Sequence, residues 1–183
     1  MNIDIKAKYV LQNNYIIYDQ GVWVSKNIKR FLQAVKEVQK EIPLHVLFLG
    51  NTLSNHLETR QEIISLGIEK NCIFVWNPAE NELQSYYTQS SWLFFPHLYD
   101  NFPSCVETAL HFQTPIFISK WSETQLVLWD QAHYFSPLDT SSIQDALLQA
   151  NSGVAKIQSE EILKKYDISN FAKHIFDTYT SIL

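Results

Sequence analysis

The sequence predicts a doubly wound α/β domain with a six-stranded, mostly parallel sheet and helices on both faces. Three observations lead there. Six short runs rich in β-branched and aromatic residues recur along the chain, amphipathic helical segments separate them, and the runs are apolar throughout instead of alternating. Strands buried on both faces of a parallel sheet have this character.

The strand candidates are Tyr15–Tyr18, His45–Leu49, Ile73–Val75, Trp92–Phe95, Pro115–Ile118 and, more weakly, His133–Phe135. Between the first two, Asn27 to Lys40 repeats Ile28, Phe31, Leu32, Val35 and Val38 at helical spacing, with Ser25 placed to cap its start. Further helices are expected over Asn55–Ser65, over Glu80–Thr88 with Leu83, Tyr86 and Tyr87 as its buried side, and from Ser104 or Cys105 to Phe112. Glu123–Trp129 and Ser141–Ala150 follow, and the tail Ser159–Leu183 reads as two helical pieces broken near Tyr166–Ser169. Residues 1–183 are therefore expected to form one Rossmann-like unit, with a core over about 14–155 and C-terminal helices over 156–183.

Composition narrows the function. The 183 residues carry 46% hydrophobic and 14% aromatic residues, enough to bury a core without staples. Net charge is −5, from 14 Lys and Arg against 19 Asp and Glu, which disfavours nucleic acid as a partner. Cys72 and Cys105 are not in a CxxC arrangement and read as reduced thiols. No apolar run approaches the roughly 20 residues of a membrane span, and the N-terminus lacks a signal-peptide layout. A cytoplasmic protein with no transmembrane segment is expected.

In open α/β sheets, ligands bind beyond the C-terminal ends of the strands, where helix N-termini present N–H groups. Two turns there draw notice. Lys26, Lys29 and Arg30 stand at a helix start, where cations oppose the macrodipole; either they hold an anion or the helix start is simply solvated. Gly50 ends the second strand, either to let backbone pass close to a ligand or as an ordinary turn. A third, Leu98 to Pro115, sets Asp100 and Glu107 around a Phe-Pro-Ser turn.

The segment ENELQSYYTQSSWLFFPHLYDNF resembles the C-terminal, donor-binding domain of the retaining glycosyltransferases of family 4, which have the GT-B architecture. The likeness runs along nearly the whole chain. It includes Asn2-Ile3-Asp4, Lys26-Asn27, Leu49-Gly50, Ile73–Val75, Glu82-Leu83 with Tyr86 or Tyr87, Thr114-Pro115, Ser136–Asp139 and Tyr166–Ser169, in the family's order. The resemblance implies a nucleoside-diphosphate sugar, UDP- or GDP-linked, as substrate, with no cofactor and no metal. Lys26 would neutralise the pyrophosphate and stabilise the leaving diphosphate. Asp100 would accept from a sugar hydroxyl, the backbone of Asn101, Phe102, Pro103 and Ser104 would face sugar and phosphates, and Trp76, Asn77 and Pro78 would meet the base. Gly21 and Gly50 complete the implied donor-binding set.

The register departs from the family at three places. With Asp100 at the first family Glu, the second falls eight positions on at Thr108, and Glu107 is one residue early. One residue turns a helix by about 100°, so either Thr108 or Glu107 serves the ribose. The family's Gly-Arg pair at the end of the first strand falls on Gln20-Gly21, which removes a guanidinium, and Asp100 is a methylene shorter than Glu. An N-terminal acceptor-binding domain is expected as the missing partner.

The resemblance thus implies a hexosyltransferase domain within a longer chain, inactive when isolated. A non-catalytic binding or scaffolding domain with a degenerate site is the alternative, and a sugar-nucleotide epimerase a third reading.

Overall fold

A computed structural model of the chain describes residues 3–19, 27–50, 56–99, 103–120, 125, 128, 130–151, 160–165, 176, 177 and 180. Six strands, β1 (Tyr15–Asp19), β2 (His45–Gly50), β3 (Cys72–Trp76), β4 (Trp92–Phe95), β5 (Ile116–Ser119) and β6 (His133–Phe135), form one sheet in the order β3-β2-β1-β4-β5-β6. Every pairing is parallel, so the sheet is wholly rather than mostly parallel. The order runs outward from β1 in one direction and from β4 in the other, and the crevice between them opens at the C-terminal edge.

The helices are α1 (Ile5–Tyr9), α2 (Ile28–Val38), α3 (His56–Leu66), α4 (Glu80–Gln89), α5 (Ser104–His111), α6 (Thr140–Asn151) and α7 (Glu160–Lys165). Apolar residues at Ile28, Phe31, Leu32, Val35 and Val38 bury one face of α2 against the sheet, with α3 and α6 alongside. Phe31 is fully buried, its ring 5.0 Å from Tyr18 on β1 and 5.4 Å from Phe94 on β4. On the other face, α4 and α5 bury Tyr86, Tyr87, Cys105, Val106, Ala109 and Leu110. Alternate residues of each strand feed these two cores: Ile16 and Tyr18 go to one, Tyr15 and Ile17 to the other.

Cys72 and Cys105 are not joined in a disulfide and are buried in opposite cores, with the sheet between them. Burial pushes the Cys72 thiol up to about 12.

Four points correct or extend the expectations. Asn27, not Ser25, holds the cap position of α2, in the left-handed region at φ 58°; Ser25 lies outside the described residues. The helix α1 was not expected. Asp4 caps it by accepting from the Ala7 N–H at 3.0 Å, and Ile5 anchors it in the core. A 3-10 turn at Glu69–Asn71 also precedes β3 unexpectedly. Of the segment expected over Glu123–Trp129, Gln125 and Leu128 are helical, and the remainder, like the break at Tyr166–Ser169, lies outside the described residues.

Three helices end in the same device. The N–H of Leu11 reaches back to the carbonyl of Lys6, that of Ile68 to Ile63 and that of Thr114 to Ala109, each around a residue with positive φ: Val10, Gly67 and Gln113. This is the Schellman geometry, which suits glycine. Only α3 supplies one.

Candidate functional site

Four described segments end at the C-terminal edge of the sheet beside the β1–β4 crevice: the end of β1, the β2–β3 corner, the residues after β4, and the start of α5. Gly21, Lys26, Asp100, Asn101 and Phe102 lie outside the described residues. Gly50, Trp76, Asn77, Pro78, Pro103, Ser104, Glu107 and Thr108 lie within them and occupy two of these segments.

At the β2–β3 corner, Gly50 pairs with Trp76, and its carbonyl accepts from the Asn77 N–H at 2.8 Å. Asn77 takes φ 45°, which its short amide side chain tolerates. The half-buried indole of Trp76 lies nearly parallel to Phe74, 5.4 Å between centroids and 8° between planes. Phe74 in turn stacks on Phe48 and lies under the Arg60 guanidinium. The turn that leaves β3 is therefore held by one ladder hydrogen bond and an aromatic row.

At the start of α5, Pro103 is buried with extended backbone, and its carbonyl accepts from the Val106 N–H at 2.9 Å. The core face of this helix is Cys105, Val106, Ala109 and Leu110, which leaves Ser104, Glu107 and Thr108 on the other side. Glu107 is exposed in the first turn, where its charge suits the positive end of the macrodipole. The Thr108 hydroxyl donates to the Ser104 carbonyl at 2.9 Å, the back-bond Thr often makes within a helix.

Two polar residues at this edge were not among the expected site residues. Asp19 ends β1, and its Oδ2 accepts from the buried phenol of Tyr87 on α4. His97, two residues past β4, is buried with its ring against Phe95 and Tyr18. A carboxylate closing an otherwise apolar strand was the available signal for Asp19. For His97 there was none beyond its place after Pro96. The expected cations Lys29 and Arg30 stand in the first turn of α2, with the Arg30 Nη1 donating to Asn27 Oδ1 at 3.2 Å. Asn27 is itself buried, and its Nδ2 donates to the Pro137 carbonyl at 2.6 Å, tying the α2 start to the turn after β6.

The sequence of the domain from the capped α1 to α6 matches the family model described as glycosyl transferases group 1, over residues 4–149. The chain belongs to this family. Among solved structures, this group 1 domain is similar to a glycosyltransferase from Rickettsia africae, at TM-score 0.82 and 11% identity over 97% of this chain and 50% of that one. It is also similar to the sucrose-phosphate synthase of Thermosynechococcus elongatus, at TM-score 0.79 and 17% identity over 98% of this chain and 48% of that one. The C-terminal domain of a glycosyl transferase group 1 family protein from Francisella tularensis gives TM-score 0.66 and 18% identity over 83% of this chain and 85% of that one. At these identities the likeness shows the fold, that of a GT-B C-terminal domain. The group 1 domain spans about half the length of the first two and most of the third. No curated protein matches it.

Proposed function

We propose that this chain is the donor-binding part of a retaining, family 4 type glycosyltransferase that takes a hexose-type sugar from a UDP- or GDP-linked donor. On this reading Lys26 offsets the charge on the departing diphosphate, Asp100 accepts from a sugar hydroxyl, and the first turn of α5, with Asn101, Phe102 and Ser104, offers N–H groups to sugar and phosphates. Glu107 serves the ribose in preference to Thr108. A carboxylate has two oxygens to accept from both ribose hydroxyls, whereas Thr108 has one neutral oxygen, its proton already given to Ser104. The Asn77 and Pro78 backbone meets the base, with the Trp76 face beside it. The scheme draws on no cofactor.

The observation that carries this reading is the placement of the α5 N-terminus at the sheet's switch point within a group 1 family match. The acceptor side is assigned to a second domain outside these residues; the Rickettsia and Thermosynechococcus neighbours have about as much chain again beyond the matched part. Alone, the chain binds donor and does not transfer. Its buried cysteines, held as thiols, fit a reducing cytoplasm, and no helix among the described residues is long and apolar enough to cross a membrane.

A non-catalytic reading is favoured by one feature, Gly21 standing where the family has its phosphate-clamping Arg. Replacing Lys26 and Asp100 with Ala in the longer protein separates the two. A transferase loses turnover by orders of magnitude, while a scaffold retains its partner.

A further inference from the structure

The last residue of β1 brings a negative charge to the switch point of the sheet. Tyr15 to Tyr18 are fully buried, and Asp19 then emerges half-buried on the strand that lies between β2 and β4. Its carboxylate is fixed there, because Oδ2 accepts from the phenol of Tyr87, which is fully buried on α4. Burial, and then the neighbouring Asp19 charge, hold that phenol well above its ordinary pKa. It donates a hydrogen bond but brings no charge, so the pair keeps the negative charge of the carboxylate. The thiol of Cys105, in the first turn of α5, acts on the same phenol. Asp19, Tyr87 and the start of α5 therefore share one neighbourhood.

An anion taken up at the α5 N–H groups lies beside this fixed carboxylate, and the repulsion grows with the charge of the anion. A nucleoside diphosphate linked to a sugar has no phosphate monoester. The free diphosphate ends in one, whose second pKa of about 6 adds nearly one further negative charge at neutral pH. Gly21, standing where the family has an arginine, leaves that extra charge without a guanidinium to offset it. We propose that Asp19 is a specificity-determining residue of the donor site, which discriminates against the free nucleoside diphosphate and so favours its release once the sugar has left. Tyr87 is its positioning residue. The inference rests on the donor reading proposed above.

Calorimetric titration of the 183-residue chain with UDP and UDP-glucose, and with GDP and GDP-mannose, gives the ratio of affinities for free and sugar-linked diphosphate. Asp19→Asn keeps an acceptor for Tyr87 and removes the charge. It should tighten the free diphosphate about tenfold and the sugar-linked form about threefold at most. Tyr87→Phe keeps the charge but releases the carboxylate, and should move the ratio the same way by a smaller factor. In the Asp19→Asn background it should move the ratio no further, which a purely structural role for Tyr87 would not produce. Thermal unfolding checks that each variant is folded. An unchanged ratio in Asp19→Asn, with both forms still binding, would overturn the inference and leave the donor reading standing. Weaker binding of both forms would also overturn it, by making Asp19 the holder of a cation that the diphosphate needs. Binding of neither form to the unaltered chain at millimolar concentration would remove the donor reading and this inference together.

Discussion

The Asn27 side chain joins the start of α2 to the turn after β6, its Nδ2 donating to the Pro137 carbonyl at 2.6 Å. The same residue sits at φ 58° and is buried, so its identity is constrained twice. Asn27→Ala loses the amide bond and keeps a side chain in the left-handed region; about 2–4 kcal/mol of unfolding free energy should be lost. Asn27→Gly relieves the backbone and should cost about 1–2 kcal/mol. Urea denaturation of both orders them, and equal losses would show that the backbone conformation contributes nothing.

Val10 is the converse case. It is 83% exposed and closes α1 at φ 54°, so its side chain gains little from packing while its branched Cβ opposes the conformation. Val10→Gly should stabilise the chain by about 0.5–1 kcal/mol, and Val10→Ala by much less. Thermal unfolding of the two variants side by side checks this.

His45 gives the fold a pH dependence. Its Nδ1 is buried with no hydrogen-bond partner among the described residues, and burial lowers its pKa. The unfolded chain then binds the proton more readily than the folded one, so the stability from neutral His45 is full above the ordinary histidine range. It falls as pH drops below about 6.5 toward the depressed folded value. His133 is shifted the same way by burial. His45→Leu should therefore reduce the slope of stability against pH between neutrality and about pH 5 without abolishing it. Denaturation midpoints across that range provide the measurement.

The open choice between Glu107 and Thr108 becomes an affinity comparison. With its hydroxyl proton already bonded to the Ser104 carbonyl, Thr108→Val should leave nucleotide affinity within about twofold, while Glu107→Gln should weaken it about tenfold. The reverse ranking would return the ribose role to Thr108.

The fold was largely legible because its strands are short, wholly apolar and regularly interrupted, and because α2 repeats Ile28, Phe31, Leu32, Val35 and Val38 without a break. What escaped notice lacked the length or pattern to register. The helix α1 has five residues and one fully buried anchor, Ile5, too few for any period to show. The helix α3 was legible over Asn55–Ser65 even though Leu57 and Ile64 are exposed while Ile63 is buried. Ser25 was a reasonable cap by composition, but the Asn27 that holds the cap position bonds Pro137, 110 residues away, a contact that local sequence does not reveal. At the site, local sequence located the turns after the strands. It did not single out Asp19, whose partner Tyr87 comes from α4, far along the chain but on the same face of the sheet.

The most direct test of the central claim is calorimetric titration of the chain with UDP-, GDP- and ADP-sugars, repeated on Glu107→Gln. The account predicts weak, saturable binding of at least one donor, diminished in the variant. No heat from any donor at millimolar concentration, or binding indifferent to Glu107, would contradict it.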